Sequence, residues 1–427
     1  MSGGIFLLVR RSLRQHAFST CATLFAVALS AGLVMSVFAI QHQTRQAFTG
    51  GNMGFDAVLG ARGSQLQLVL NAVFHLETSP GNIPWSLYQT IKAEPMVKLA
   101  VPYATGDNYR GFRIVGTTGE IFSDFEIRDG EKLQVVPGGR VFNPDYREAV
   151  LGNFVAQSLG LKIGDVINPY HGLVYDESAK HNEEYTVVGI LETTNTPMDR
   201  VVWIPIEGIY RMEGHVLRGT GEVYTATAGQ SISDEHKEVS AVMIKFREGK
   251  GGSASGSMAG FNLSQTINQQ GKVATLAFPV AVVMADLFNK IGWINRVFEM
   301  VAYLVVVVSV AAIMASIYNT INERRREFAI LRALGARRRT VLASIVLEST
   351  TIAVLGAIAG YVVYGTVLGV AAYVVRQQTG VVLAVFQFHP VLIATPVGMA
   401  LLGAIAGLVP AYKAYSTDVA ENLVPHS

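Results

Sequence analysis

Four long apolar runs punctuate the 427-residue chain. The first, residues 20–40, carries no charge, and as a helix rising 1.5 Å per residue it crosses a bilayer core of about 30 Å. It is longer than the core of a cleaved signal peptide, so it is expected to remain as a span. The second, residues 297–320, ends at a charged loop, 321–340. The third, 341–375, reaches about 50 Å as a helix. That exceeds the bilayer core, so it must tilt, break near Gly356 or Gly360, or project beyond the membrane. A short loop at 376–390 leads to the fourth span, 391–410, and a tail at 411–427.

Between the first two spans, residues 41–296 hold no run long enough to cross. Alternating apolar and polar positions predict strands at 112–115, 185–191, 201–205 and 239–246. Turn signals such as Gly138-Gly139 and Gly164-Asp165 separate them. Helical patterns sit at 64–76, 85–93 and 154–159. About 250 residues are ample for an α+β domain with its own core. The amphipathic stretch 279–300 runs into the second span and predicts a stalk helix, with 41–48 after the first span as its partner. The Gly- and Ser-rich segment 249–260 reads as a surface loop. Its Gly249-Lys250 lacks the following Ser or Thr of a phosphate-binding loop.

Half the residues are hydrophobic, 15% are charged and the mean hydropathy is +0.34. A chain of membrane part plus folded domain meets that balance. The net charge of +2 and the lack of a basic patch give no reason to expect nucleic acid. The lone Cys21 excludes an internal disulfide and a cysteine-based metal framework. Arginine is unevenly shared. Residues 1–19 carry Arg10, Arg11 and Arg14 without an acid, and Ile5, Phe6, Val9 and Leu13 share one helical face. The 321–340 loop carries seven arginines against Glu323 and Glu327, and the tail adds Lys413, whereas the 376–390 loop has Arg376 alone. The positive-inside rule then predicts both termini and the 321–340 loop in the cytoplasm, with the large domain outside. Trp293 and Tyr303 at one end, and Tyr412 and Tyr415 at the other, suit interfacial aromatic belts.

The charged loop predicts a short amphipathic helix. Ala329, Ile330, Ala333 and Leu334 fall on one face, and Gly335 stands where a helix stops. Its order E-R-x-R-E-x-x-x-L-R-A-L-G-A, followed by Leu347-Glu348 and Leu355-Gly356, resembles ABC-transporter permeases of the FtsX/MacB/LolC-like, mechanotransmission (type VII) family. Where that family carries Ile-Gly after the second Glu, this chain has Phe328-Ala329. Residues 149–165 with the strand after them, and the Pro-Ala start of the tail at Pro410, resemble the same family. The resemblance implies that the loop is a coupling helix seated on an ATPase, with Glu323, Arg324, Arg326, Glu327, Ile330, Leu331, Ala333, Leu334 and Gly335 at the contact.

It further implies a non-catalytic permease subunit in the bacterial inner membrane, paired as a homodimer or with a paralogue. No Walker A pattern occurs in the sequence, so no ATP or Mg site is expected in this chain; a partner ABC ATPase is expected to bind both. Few polar residues line the spans, so work is expected to reach a lipoprotein, lipid, peptide or periplasmic adaptor outside. The alternatives are an FtsX-like regulator of an envelope enzyme, or a membrane-anchored sensor or enzyme without an ATPase.

Glu348 lies inside the third run. An ionisable group there is a functional candidate, or a carboxylate paired with arginine near the cytoplasmic face. Gly356, Gly360, Gly365 and Gly369 suit close helix packing. His171, His181 and His215, with Asp176, Glu177 and Asp199 nearby, match no metal-ligand spacing, so no metal site is expected. No catalytic triad or carboxylate pair can be read from spacing.

Overall fold

The computed structural model describes residues 2–49, 54–128, 130–212, 232–247, 253–379, 383 and 387–416. The chain divides into two units: 1–44 with 291–373 and 384–427, and 45–290 with 374–383.

The first unit is helical. An N-terminal helix, Ser2–Gln15, precedes TM1 (Ala17–Thr49). TM2 (Gly292–Glu323), TM3 (Arg338–Thr379) and TM4 (Val391–Ser416) follow. All four are long and apolar enough to cross a membrane. TM3 runs unbroken for 42 residues, so neither Gly356 nor Gly360 breaks it. They serve instead as points of close approach. A Cβ on Gly356 would stand 2.6 Å from Val27, and one on Gly360 2.9 Å from Ala31 and 3.1 Å from the Ala28 carbonyl. TM1 therefore packs backbone-close on TM3, as small residues permit where lipid offers no hydrophobic drive. Gly365 and Gly369 face open space and take no part. A buried seam of Val27, Ala31, Ile313, Ile352 and Ala357 links TM1, TM2 and TM3.

The second unit is built on a ten-stranded mixed sheet. Its strands are β1 (Ala57–Ala61), β2 (Val97–Tyr109), β3 (Phe112–Thr117), β4 (Glu148–Leu151) and β5 (Val166–Ile167). They continue as β6 (Tyr170–His171), β7 (Tyr185–Ile190), β8 (Val201–Pro205), β9 (Ala241–Phe246) and β10 (Ala274–Ala277). The order is β10-β1-β9-β2-β3-β8-β4-β7-β5, with β6 on β2. Pairs β3–β8 and β4–β7 are parallel, and the others antiparallel.

Period-two alternation sends side chains to two apolar layers. Val242, Ile244, Val202 and Ile204 enter one. Met243, Val201 and Trp203 enter the other. Helices cover both faces: Trp85–Ala93 and Asn153–Leu159 on the first, Gln65–Ala72 and Val280–Lys290 on the second.

Two expectations change. The stalk is not one helix: Val280–Lys290 ends at Lys290, and Ile291 separates it from TM2, which begins at Gly292. In the stretch expected to be a loop, residues 253–260 belong to a helix, Ser253–Gln265. Gly260 earns its place there by close packing, since a Cβ would meet the Phe278 ring at 2.3 Å. Residues 248–252 lie outside the described residues.

Candidate functional site at the loop between TM2 and TM3

TM2 ends at Glu323 because Arg324 leaves helical geometry (φ −100°, ψ 13°). A nine-residue helix, Arg325–Ala333, then forms. Its end is a Schellman motif. The Gly335 N–H donates to the Arg332 carbonyl and the Ala336 N–H to the Leu331 carbonyl, each at 3.0 Å. Gly335 takes φ +96°, a conformation that favours glycine. The expected helix stop is therefore present, and TM3 restarts at Arg338.

Arg324 turns inward. It is 6% exposed, its Nε donates to Glu327 Oε2 at 2.9 Å, and its Nη1 lies 3.9 Å from Glu348 Oε2. Its guanidinium also covers the Phe328 ring at 5.2 Å. Glu348, 7% exposed, accepts from Ser12 Oγ at 2.5 Å. So Glu348 takes the arginine-paired arrangement, tied to the N-terminal helix as well. His16 Nδ1 lies 2.9 Å from Glu323 Oε2, and Ser19 and Ser316 hydroxyls are 3.0 Å apart. One buried cation thus joins the TM2 end, the short helix and TM3, while Ser12 and His16 attach the N-terminal segment.

The short helix divides its apolar residues between two sides. Ala329 is buried and Phe328 packs on the transmembrane core. Ile330 is 44% exposed and Leu334 80% exposed, with Ala333 exposed between them. The four-residue face expected from spacing is therefore three exposed residues, because Ala329 is buried. Arg326, Glu327 and Gly335 are exposed and Leu331 half-buried. Arg324 is buried, its guanidinium paired within the chain with Glu327 and facing Glu348.

Two matches decide the family. Residues 299–419 match the model for the FtsX-like permease C-terminal region, and residues 20–254, over half the chain, match the MacB-like periplasmic core domain. The chain is an ABC-transporter permease of the MacB/FtsX type. The permease is 22% identical to the pyoverdine export ATP-binding/permease protein PvdT of Pseudomonas fluorescens, over 94% of this chain and 56% of that one. It is 25% identical to the macrolide export ATP-binding/permease protein MacB of Brucella melitensis, over 95% of this chain and 58% of that one. The permease thus spans about half the length of these curated relatives. The crystal structure of the periplasmic region of MacB from Actinobacillus actinomycetemcomitans is 11% identical at a TM-score of 0.33, covering 56% of this chain and 95% of that one.

Sequence spacing misses Ser12 and His16, which read as ordinary polar residues of a basic segment. In the large domain it also misses Asp107, which the sheet sets beside His171 and His181. Asp176 instead caps a turn at Ser178, accepting its backbone N–H at 2.9 Å. Asp199 accepts from the Thr194 backbone N–H at 3.0 Å and hydroxyl at 2.8 Å, and from the Asn195 N–H at 2.9 Å. Burial raises the Asp199 carboxyl above the usual carboxylate range, with those hydrogen bonds working against the shift. His215 lies outside the described residues.

Proposed function

We propose that the permease transmits ATP-driven motion from a separate cytoplasmic ABC ATPase to its large extracytoplasmic domain, for export or extraction of a lipoprotein, lipid or peptide of the envelope. The observation that carries this is the pairing of an outward apolar face, Ile330 with Leu334, with an inward anchor, Arg324. An isolated apolar pair on a loop is unremarkable, but one held rigidly to the ends of two spans can pass on a push. The names of two relatives, both ATP-binding/permease proteins, support an ATPase as the source of that push. The reading places both termini inside and two permease copies with two ATPase copies. ATP and Mg are held by the ATPase.

Two measurements test it. Tagged permease purified from its native membrane should bring an ABC ATPase with it and support ATP hydrolysis in nanodiscs. In a Cys21→Ser background, Ser253→Cys should label from outside and Ser416→Cys from inside. Labelling of both from one side, or purification without any ATPase, overturns the reading.

A further inference from the structure

The sheet of the large domain assembles a donor set that sequence spacing conceals. Asp107 on β2 stands in register with His171 on β6. The chain then loops out and returns. The Lys180 backbone bridges Tyr170, and the His181 N–H donates to the Pro169 carbonyl at 2.8 Å. The loop between is pinned: Asn108 Nδ2 donates to the carbonyls of Gly172 at 2.9 Å and Val174 at 3.3 Å. As a result, His171 Nδ1 and His181 Nε2 each lie 3.4 Å from the same oxygen, Asp107 Oδ1. All three donor atoms lie within 4.8 Å of one another.

Those distances carry a geometric signature. A charge-assisted hydrogen bond from imidazole to carboxylate draws in to about 2.7–2.9 Å. Ligands of a tetrahedral ion with bonds of about 2.0–2.1 Å sit about 3.3–3.4 Å apart, whereas right-angle neighbours in square-planar or octahedral shells sit about 2.9 Å apart. Both edges to Asp107, at 3.4 Å, fit the tetrahedral spacing. The remaining edge, between the histidines, closes by rotation of His171, whose side chain is 60% exposed. Asp107 is fully buried and His181 nearly so, so two of the three ligands are held in place by the fold.

We propose that Asp107, His171 and His181 bind a zinc ion, leaving a fourth position open on the His171 side. Two imidazoles and a carboxylate suit zinc. Calcium and magnesium prefer all-oxygen shells, and copper(I) prefers sulfur. A divalent ion supplies the positive charge that favours a buried carboxylate, and it ties the loop carrying both histidines to β2. The open position is filled by water or by a donor from whatever the domain meets. The site stands independently of the transport reading.

The test uses the full chain in detergent, stripped with chelator and titrated with zinc against a chromophoric competitor. One zinc per chain is expected, bound saturably. Cobalt in its place should give the intense visible bands of a tetrahedral ion. His171→Ala, at an exposed position that leaves folding intact, should weaken binding by about 100-fold or more. Asp107→Asn should do the same, with its melting curve checking the fold. A competing pair exists, His42 and His389, whose rings are 4.8 Å apart. The proposal is overturned by the absence of saturable zinc binding, by an octahedral cobalt spectrum, or by an equivalent that survives His171→Ala and is lost in His42→Ala.

Discussion

The Ser12 hydroxyl donates to the Glu348 carboxylate at 2.5 Å, joining two residues 336 positions apart. The same carboxylate faces Arg324, which closes the TM2 end. A carboxylate buried inside a span is costly, and this one is answered by a cation and a hydroxyl. The N-terminal helix is thereby a working part of the bundle. Its Val9 is buried and Leu13 packs on the core, while Phe6 stays exposed.

Glu348→Ala should leave Arg324 with Glu327 alone and cost about 3–5 kcal/mol. Glu348→Gln keeps an acceptor for Ser12 and should cost less. Ser12→Ala should cost about 1.5–3 kcal/mol, the range for a hydrogen bond to a charged group. Unfolding of the nanodisc-embedded protein, followed by tryptophan fluorescence, checks the order. Equal losses for all three variants would mean the network is not electrostatic.

Gly360 and Gly365 make a matched pair on TM3. A methyl at Gly360 meets the Ala28 carbonyl oxygen and the Gly32 nitrogen, both at 3.1 Å, and backbone has little room to give. Gly360→Ala should push TM1 from TM3 and cost about 1–3 kcal/mol. Gly365→Ala meets nothing within 4 Å and should be neutral, or stabilise by up to about 1 kcal/mol through helix propensity. Thermal melts of the two variants beside the parent decide it, and a loss at Gly365 equal to that at Gly360 would refute the packing argument.

Much of this architecture was legible in the sequence, for identifiable reasons. Long apolar runs mark spans because no alternative buries them, and the strand at 185–190 alternates because its two faces are covered unequally. The longest strand, Val97–Tyr109, was hidden because much of it is buried on both faces, and Pro102 lies within it. At the loop, the spacing of Ala329, Ile330, Ala333 and Leu334 and the stop at Gly335 announced a short helix. Nothing local tells which of seven arginines turns inward; that choice is made by Glu348, on another helix. Asp107 meets His171 through β2–β6 pairing and His181 through the return of the loop onto Tyr170, neither of which a spacing rule anticipates.

His75 predicts an acid-sensitive domain. It occupies left-handed backbone (φ 57°) against the Trp203 ring, and among the described residues its Nδ1 has no hydrogen-bond partner. Burial, followed by the nearby charges of Arg113 and Arg200, pushes its pKa down to about 3. The folded state therefore keeps His75 neutral, while the unfolded chain takes a proton below about pH 6.5. Stability should fall as pH drops from about 6.5 toward 3, by up to about 1.4 kcal/mol per pH unit. His75→Asn suits the same backbone region and removes the titration. The drop in melting temperature between pH 7 and pH 5 should shrink in that variant. An unchanged drop would assign the acid sensitivity to other groups.

The coupling face is tested most cleanly at Leu334. Glu327 is a poor probe, because Glu327→Lys would set a cation against Arg324, its partner at 2.9 Å, and disturb the loop whatever it docks on. Leu334 is 80% exposed and lies beyond the buried network, so Leu334→Asp should leave folding and insertion unchanged. If Leu334 fills an apolar groove on an ATPase, burying the new carboxylate there without a partner should cost several kcal/mol. ATPase should then be lost from the purified complex, or its permease-stimulated hydrolysis should fall by about 100-fold or more. Ile330→Asp should act alike. Lys250→Glu, in the large domain, should be silent. Wild-type ATPase binding and hydrolysis in both Leu334→Asp and Ile330→Asp, with melting curves matching the parent, would show that this face docks on nothing that drives the permease.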